Sequence, residues 1–194
     1  LGTYRLLISD LLVLTMSEEP IADREKVRDI IEAVREVEPG LRVIPTVFRP
    51  RPVGEVRNLK VAYVSTAPRA VLGLLCRHLE ERYGCEVVAA SGSLSDRGEL
   101  TRDLEEMRGT GVEAYLTEIK AAAVDVVTRR GAAEGKPVFY CDNDPVGISG
   151  WDELDGALLE LARKAVAGFG GKEQVARSDR LVYNMNHDAP AVRD

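Results

Sequence analysis

The sequence predicts an α/β protein built on a parallel sheet with helices on both faces. Short apolar runs alternate with segments of helical spacing over residues 60–166. A proline run at residues 49–52 separates that stretch from an earlier strand, helix and strand. The 194 residues are 45% hydrophobic, enough to bury the core of one domain and part of another.

The elements follow in order. Residues 4–8 and 11–14 form an apolar run broken only by Arg5, Ser9 and Asp10, and are expected to be a buried strand. From Asp23, the positions Val27, Ile30, Ile31, Val34 and Val37 recur at helical spacing until Pro39-Gly40 stops the run. Residues 41–48 are a second strand. In Arg49-Pro50-Arg51-Pro52 the alternating prolines disfavour helix and sheet interior, so a stiff extended connector is expected. The domain boundary is placed there, giving units 1–52 and 53–194. Beyond it come strands at 60–65, 85–90, 114–117 and 137–141, with helices at 70–83, 98–107, 120–130 and 151–166. Such alternation argues for a Rossmann-like three-layer sandwich. In the tail, Gly168-Phe169-Gly170-Gly171 suggests a turn and residues 180–185 a short edge strand.

Charged residues make up 30% of the chain and the net charge is −6, without the basic field that nucleic acid or a phospholipid surface would select. Three cysteines with no C-x-x-C pair are expected to be reduced thiols of a cytoplasmic protein. No apolar stretch approaches the ~20 residues of a membrane span, and no leader pattern opens the chain. A start at Leu1, without methionine, is expected of a fragment or trimmed chain. The composition is compatible with a homo-oligomer.

In open parallel sheets, ligands sit beyond the carboxyl ends of the strands, where helix N-termini present free N–H groups. Four loops follow the strands: Ser65-Thr66-Ala67-Pro68-Arg69, Ser91-Gly92-Ser93-Leu94-Ser95-Asp96-Arg97, Thr117-Glu118-Ile119-Lys120 and Asp142-Asn143-Asp144-Pro145. Their hydroxyls, charges and small residues suit a phosphorylated or carboxylated small molecule. Each loop taken singly is better explained by helix capping and turn formation than by a ligand. Lys120 is harder to explain, because a cation at a predicted helix start meets the positive dipole end. Either Glu118 neutralises it or an anion does. Arg49 and Arg51 could clamp a phosphate between domains through their forked guanidinium groups, or could simply be solvated. His78 and His187 have no Ser or Cys candidate beside them, so no His-based triad or metal site is expected. The glycine-rich Gly168-to-Lys172 segment lacks the G-x-x-x-x-G-K-[ST] spacing and follows a helix.

Three segments resemble the carboxyl-terminal half of the cyclic 2,3-diphosphoglycerate synthetase family. They are Ser9-Asp10-Leu11-Leu12-Val13-Leu14-Thr15-Met16-Ser17-Glu18-Glu19-Pro20, Pro45-Thr46-Val47-Phe48-Arg49-Pro50-Arg51-Pro52 and Thr117-Glu118-Ile119-Lys120-Ala121-Ala122-Ala123-Val124-Asp125-Val126-Val127-Thr128. The resemblance extends to about Asp144. It implies an ATP-dependent ligase that closes 2,3-diphosphoglycerate into a cyclic pyrophosphate, releasing ADP and phosphate. It also implies a central domain like that of P-loop GTPases, of which residues 1–48 would be the last strand, helix and strand. No P-loop lies in this chain, so the chain alone is expected to be inactive. Joining two phosphoryl groups requires neutralising several negative charges at once. The candidates for that work are Lys120, Arg49, Arg51 and Arg97, with Ser65, Thr66, Ser93 and Asn143 as neutral donors and Glu118 orienting Lys120. The implied cofactors are ATP and Mg²⁺, with Asp142 as a water-mediated Mg²⁺ contact.

The alternative is a non-catalytic Rossmann-like module that binds a nucleotide or phosphometabolite and serves a P-loop partner domain. An NAD(P) dehydrogenase is disfavoured, since Ser65-Thr66-Ala67-Pro68-Arg69-Ala70 stands where the G-x-G-x-x-G turn would be.

Overall fold

A computed structural model describes residues 2–148, 150 and 153–168. The elements in chain order are α1 (Gly2–Leu7), β1 (Leu11–Leu14), α2 (Arg24–Val37), β2 (Arg42–Pro52), β3 (Lys60–Val64) and α3 (Arg69–Tyr83). They continue as β4 (Glu86–Ser91), α4 (Arg97–Glu106), β5 (Ala114–Glu118), α5 (Val124–Glu134), β6 (Val138–Gly147) and α6 (Leu154–Gly168). The expected turn after Gly168, the edge strand at 180–185 and His187 lie outside the described residues.

Six strands form one sheet in the order β1-β2-β6-β5-β3-β4. The four strands after the proline run are mutually parallel, as the strand–helix alternation predicts. On one face, Val71, Leu75 and Leu79 of α3 pack with Val61, Tyr63 and Leu116. On the other, Leu100 and Leu104 of α4 and Val127 of α5 pack with Ala62, Val64 and Tyr115. Alternate residues of β3 and β5 thus serve opposite faces, the period-two pattern of a strand buried on both sides. A smaller cluster of Ile44, Leu154 and Ala157, with Leu11 against it, joins α6 to β1 and β2.

Four expectations are corrected. The run at residues 4–8 is not a strand, for Gly2–Leu7 is a helix with no buried residue. Tyr4, Leu7 and Ile8 are spaced i, i+3, i+4, which is helical period in a segment too short to distinguish from a strand by composition.

The proline connector is the second half of β2, paired antiparallel with β6 from Thr46↔Gly147 to Pro52↔Cys141. The prolines fit because of their phase. Val53 N donates to Tyr140 O at 2.9 Å, so residues two and four positions before Val53 exchange hydrogen bonds with β6. Pro50 and Pro52 fall between them, where an N–H would face away from β6, and β1 pairs β2 only from Arg42 to Pro45. The same pairing draws Asp142-Asn143-Asp144-Pro145 into β6 instead of leaving them as a loop.

The fifth helix begins at Val124, not at Lys120. Ala123 is fully buried and its N–H donates to Leu94 O at 3.2 Å, which ties the chain to the neighbouring loop and delays the helix.

The antiparallel junction has a geometric consequence. β1 ends at Leu14 beside Pro45 of β2, and β5 ends at Glu118 beside Cys141 of β6. Because β2 and β6 run in opposite directions, these two carboxyl ends point at each other along the β2·β6 ribbon, across ~20 Å at ~3.3 Å per residue. Two ligand-binding rims that would lie side by side along one edge of a single parallel sheet therefore face each other.

Candidate functional site

The meeting point of the two rims is a cleft of about 210 Å³. Met16, Glu18 and Ile21 enter it from the loop after β1, and Thr66, Ala67 and Pro68 from the loop after β3. Phe48 of β2 and Asn143 of β6 come from the ribbon, Val71 and Leu75 from α3, and Glu118 from the end of β5. Most of this wall is apolar.

Glu118 is the most buried polar residue lining the cleft. It is 8% exposed, and its two carboxylate oxygens accept from Ser65 Oγ at 2.6 Å and Thr66 Oγ1 at 2.9 Å. Ser65 Oγ in turn accepts from Ala67 N at 2.9 Å, which shapes the loop entering α3. The loop is also wedged from behind, since a Cβ on Gly92 would lie 2.6 Å from Ala67 O. Only glycine permits that approach between the loops after β3 and β4. Beneath the cleft, Tyr63 is fully buried, and burial drives its phenol far above the usual range, opposed by the neighbouring Ser65 hydroxyl. Burial, reinforced by the charges of Glu118 and Asp142, pushes the Cys141 thiol up to about 12. His78, on α3, is held below the usual imidazole range by burial and then by Arg49 and Arg82.

The expected cations are differently disposed. Arg49 forks onto Glu18 through two bonds of 2.6 Å and also donates to Phe48 O at 3.0 Å. Arg51 engages Asp144 at 2.7 Å and Asp142 at 3.3 Å. Arg97 pairs with Asp125 at 2.7 Å and donates to Ala122 O at 2.9 Å, bracing the turn before α5. Ser93 donates to Asp103 at 2.8 Å, beside Ser91 at 2.5 Å, one strand away from the cleft. Among the described residues Glu118 forms no ion pair with Lys120; its carboxylate accepts from Ser65 and Thr66. Lys120 is exposed, and among the described residues it forms no ion pair.

Backbone donors add a second feature of the rim. The first turns of α2 and α4 are capped by Asp23 and Asp96 side chains, whereas Pro68 and Ala123 give α3 and α5 no side-chain cap. These two uncapped N-termini follow the strands that bear Ser65 and Glu118. Their N–H groups are suited to an anion.

The cleft interior has the opposite character. It holds the carboxylates of Glu18 and Glu118, and the Arg49 guanidinium is engaged by Glu18. A phosphate charge brought to ~5 Å from either carboxylate would cost about 3 kcal/mol at an effective dielectric near 20. The interior of the cleft is thus less favourable to a phosphate than its rim. Glu18, Met16 and Ile21 were not singled out as site residues, although applying the strand-end rule to residues 11–14 would have found them.

Among the described residues, no three His, Cys, Asp or Glu side chains converge on a metal site. No helix among them is long and apolar enough to cross a membrane.

Fold and cleft together define an α/β protein in which a Rossmann-like sheet meets a second parallel strand pair rim to rim. Residues 1–47 match the family model for the cyclic 2,3-diphosphoglycerate synthetase P-loop domain, and residues 52–144 match the model for that synthetase's C-terminal domain. The chain belongs to the cyclic 2,3-diphosphoglycerate synthetase family. It is 67% identical over 175 residues to the cyclic 2,3-diphosphoglycerate synthetase of Rubrobacter xylanophilus, covering 90% of this chain and 38% of that protein. It is 44% identical over 169 residues to the synthetase of Methanothermus fervidus, covering 87% and 36%, and 42% identical over 165 residues to that of Thermococcus kodakarensis, covering 85% and 37%. The chain thus spans a little over a third of the length of these relatives.

Proposed function

We propose that this chain serves an ATP-dependent ligase that closes 2,3-diphosphoglycerate into its cyclic pyrophosphate, with ADP and inorganic phosphate released. The observation that carries the reading is the 67% identity to a synthetase of that name. In the net reaction the two phosphoryl groups of one substrate molecule become joined through a bridging oxygen, and ATP gives up its terminal phosphoryl group. The barrier is mainly electrostatic, because two anionic groups must be brought together. This chain contributes an anion-binding rim: exposed Lys120 and the uncapped starts of α3 and α5.

The residues described do not fit a complete nucleotide and metal centre. They contain no G-x-x-x-x-G-K-[ST] loop, and Asp142 and Asp144 are both engaged by Arg51. No step is therefore routed through Mg²⁺ or through the ATP triphosphate within this chain. The three free cysteines support a cytoplasmic setting.

The test is phosphorus NMR of the full-length protein incubated with 2,3-diphosphoglycerate, ATP and Mg²⁺. A cyclic pyrophosphate resonance formed in step with ADP is the expected result. Binding of both compounds without turnover would instead support the non-catalytic module.

A further inference from the structure

We propose that the open edge of β4, with the side of α3 next to it, is where a second copy of this chain docks. A two-fold axis would pair β4 with β4 and α3 with α3, both antiparallel. The proposal concerns assembly and stands apart from the ligase reading.

Among the described residues β4 is the last strand of the sheet and pairs only with β3, so its outer side offers backbone groups to a further strand. A groove of about 520 Å³ opens beside this edge, lined by Ala89 and Ala90 of the strand and by Gly73 and Cys76 of α3. A Cβ on Gly73 would meet nothing within 4 Å, so the wall is open where a neighbouring helix would approach. Small side chains permit close approach, but they do not choose a partner.

Charge makes that choice. Arg69 lines the groove beside Ser91, and Glu80 Oε1 accepts from Val87 N at 3.1 Å, so both stand on the side of α3 that borders β4. Each is at the unfavourable end of its helix: Arg69 opens α3 at the uncapped, positive end, and Glu80 lies near the negative end. Neither forms an ion pair among the described residues. An antiparallel second α3 would set each charge beside its opposite, and the symmetry would make two such pairs, Arg69 with Glu80 of the partner subunit and the reverse.

The same axis suits the strand. Arg69 and Glu80 are ~16 Å apart at 1.5 Å per residue, and they reach Ser91 and Val87, near the two ends of β4. The middle of that span lies over the middle of the strand, so one axis near Ala89 serves both layers. Strands pair at ~4.8 Å, and α3 is set back over β3 and β4, which would leave the two helices ~10 Å apart, an ordinary packing distance. On the opposite face of the sheet the same axis turns the two Glu106 carboxylates toward each other, and Glu106 lines the groove without an ion pair among the described residues. That repulsion opposes association, so its removal should strengthen the dimer.

Sedimentation equilibrium on the full-length protein is the experiment. The expected result is a dimer that Arg69→Glu and Glu80→Arg each weaken by at least about tenfold, and that Glu106→Gln tightens. A variant carrying both Arg69→Glu and Glu80→Arg should recover most of the natural affinity, because the pairs are restored with their signs exchanged. Since that variant contains both single changes, its recovery also shows that neither acts by unfolding the chain. A natural protein that stays monomeric, a dimer that the single changes leave intact, or a double variant no tighter than the single ones would overturn the proposal. Monomers whose β4 amides are nonetheless protected from hydrogen exchange would also overturn it, by showing that another part of the same protein covers the edge.

Discussion

Two neighbouring strands end in the same chemistry and use it differently. At the end of β3, Ser65 and Thr66 donate to the carboxylate of Glu118; at the end of β4, Ser91 and Ser93 donate to that of Asp103. The second carboxylate belongs to α4, the helix that its own loop starts, and that helix is capped by Asp96. Every donor is satisfied locally. The first carboxylate comes from a different strand, faces a cleft built from both units, and precedes a helix with no side-chain cap. Hydroxyls and a carboxylate at a strand end thus do not define a site. What distinguishes a site is the donors and acceptors left over once local bonds are made.

The comparison breaks most readily at Glu118. Replacing it with Leu should cost about 3 kcal/mol by stranding the Ser65 hydroxyl in a buried setting, and should also abolish ligand binding in the cleft. Urea midpoints and calorimetry on the same samples measure the two effects. A variant that loses stability and still binds ATP and 2,3-diphosphoglycerate normally would make this cluster as structural as its neighbour.

Lys120→Met should weaken binding of phosphorylated ligands by about 1.5–3 kcal/mol, because it removes a charge-assisted contact at the rim. Its folding stability should hold within about 0.5 kcal/mol, since the exposed ammonium makes no ion pair among the described residues. Lower stability with unchanged affinity would return Lys120 to a structural role.

For the second cluster, Asp103→Ala should destabilise by about 1–2 kcal/mol, leaving Ser91 and Ser93 without their shared acceptor. Ligand affinities should not move, and a loss of ATP or 2,3-diphosphoglycerate binding would erase the distinction between the two strand ends. Asp96→Ala should cost about 1 kcal/mol through loss of the α4 cap, again without change in binding.

The smallest effect is confined to alkaline solution. The Cys141 thiol is raised from the ordinary range to about 12 by burial, so the folded state keeps a proton that the unfolded chain releases near pH 9. Its contribution to stability is complete below that pH and falls as the pH rises toward 12. Thermal unfolding should therefore be insensitive to this thiol at neutral pH, and Cys141→Ala should have a shallower decline above pH 9 than the natural protein. Parallel declines would place the titration elsewhere.

Local pattern was enough for much of this molecule. The apolar spacing of residues 23–37 and the alternation over residues 60–141 specify elements whose ends shift by only a few residues, because helix and strand periods are properties of neighbours in sequence. The rule that ligands gather beyond strand ends picked out Ser65, Thr66 and Glu118, which do come together. What the pattern could not settle was partnership. Arg51 meets Asp142 and Asp144 more than ninety positions away, and Arg49 meets Glu18, so the availability of each guanidinium depends on pairing that spacing does not encode. The proline run is a strand only because β6 lies beside it with bonding positions in phase with the prolines. The cleft exists only because that antiparallel pairing turns one carboxyl rim toward the other. Sequence determined the elements and the chemistry at their ends, through short-range sterics and periodicity. Tertiary structure alone decided which ends face each other and which charges are already neutralised, because both depend on contacts between residues far apart in the chain.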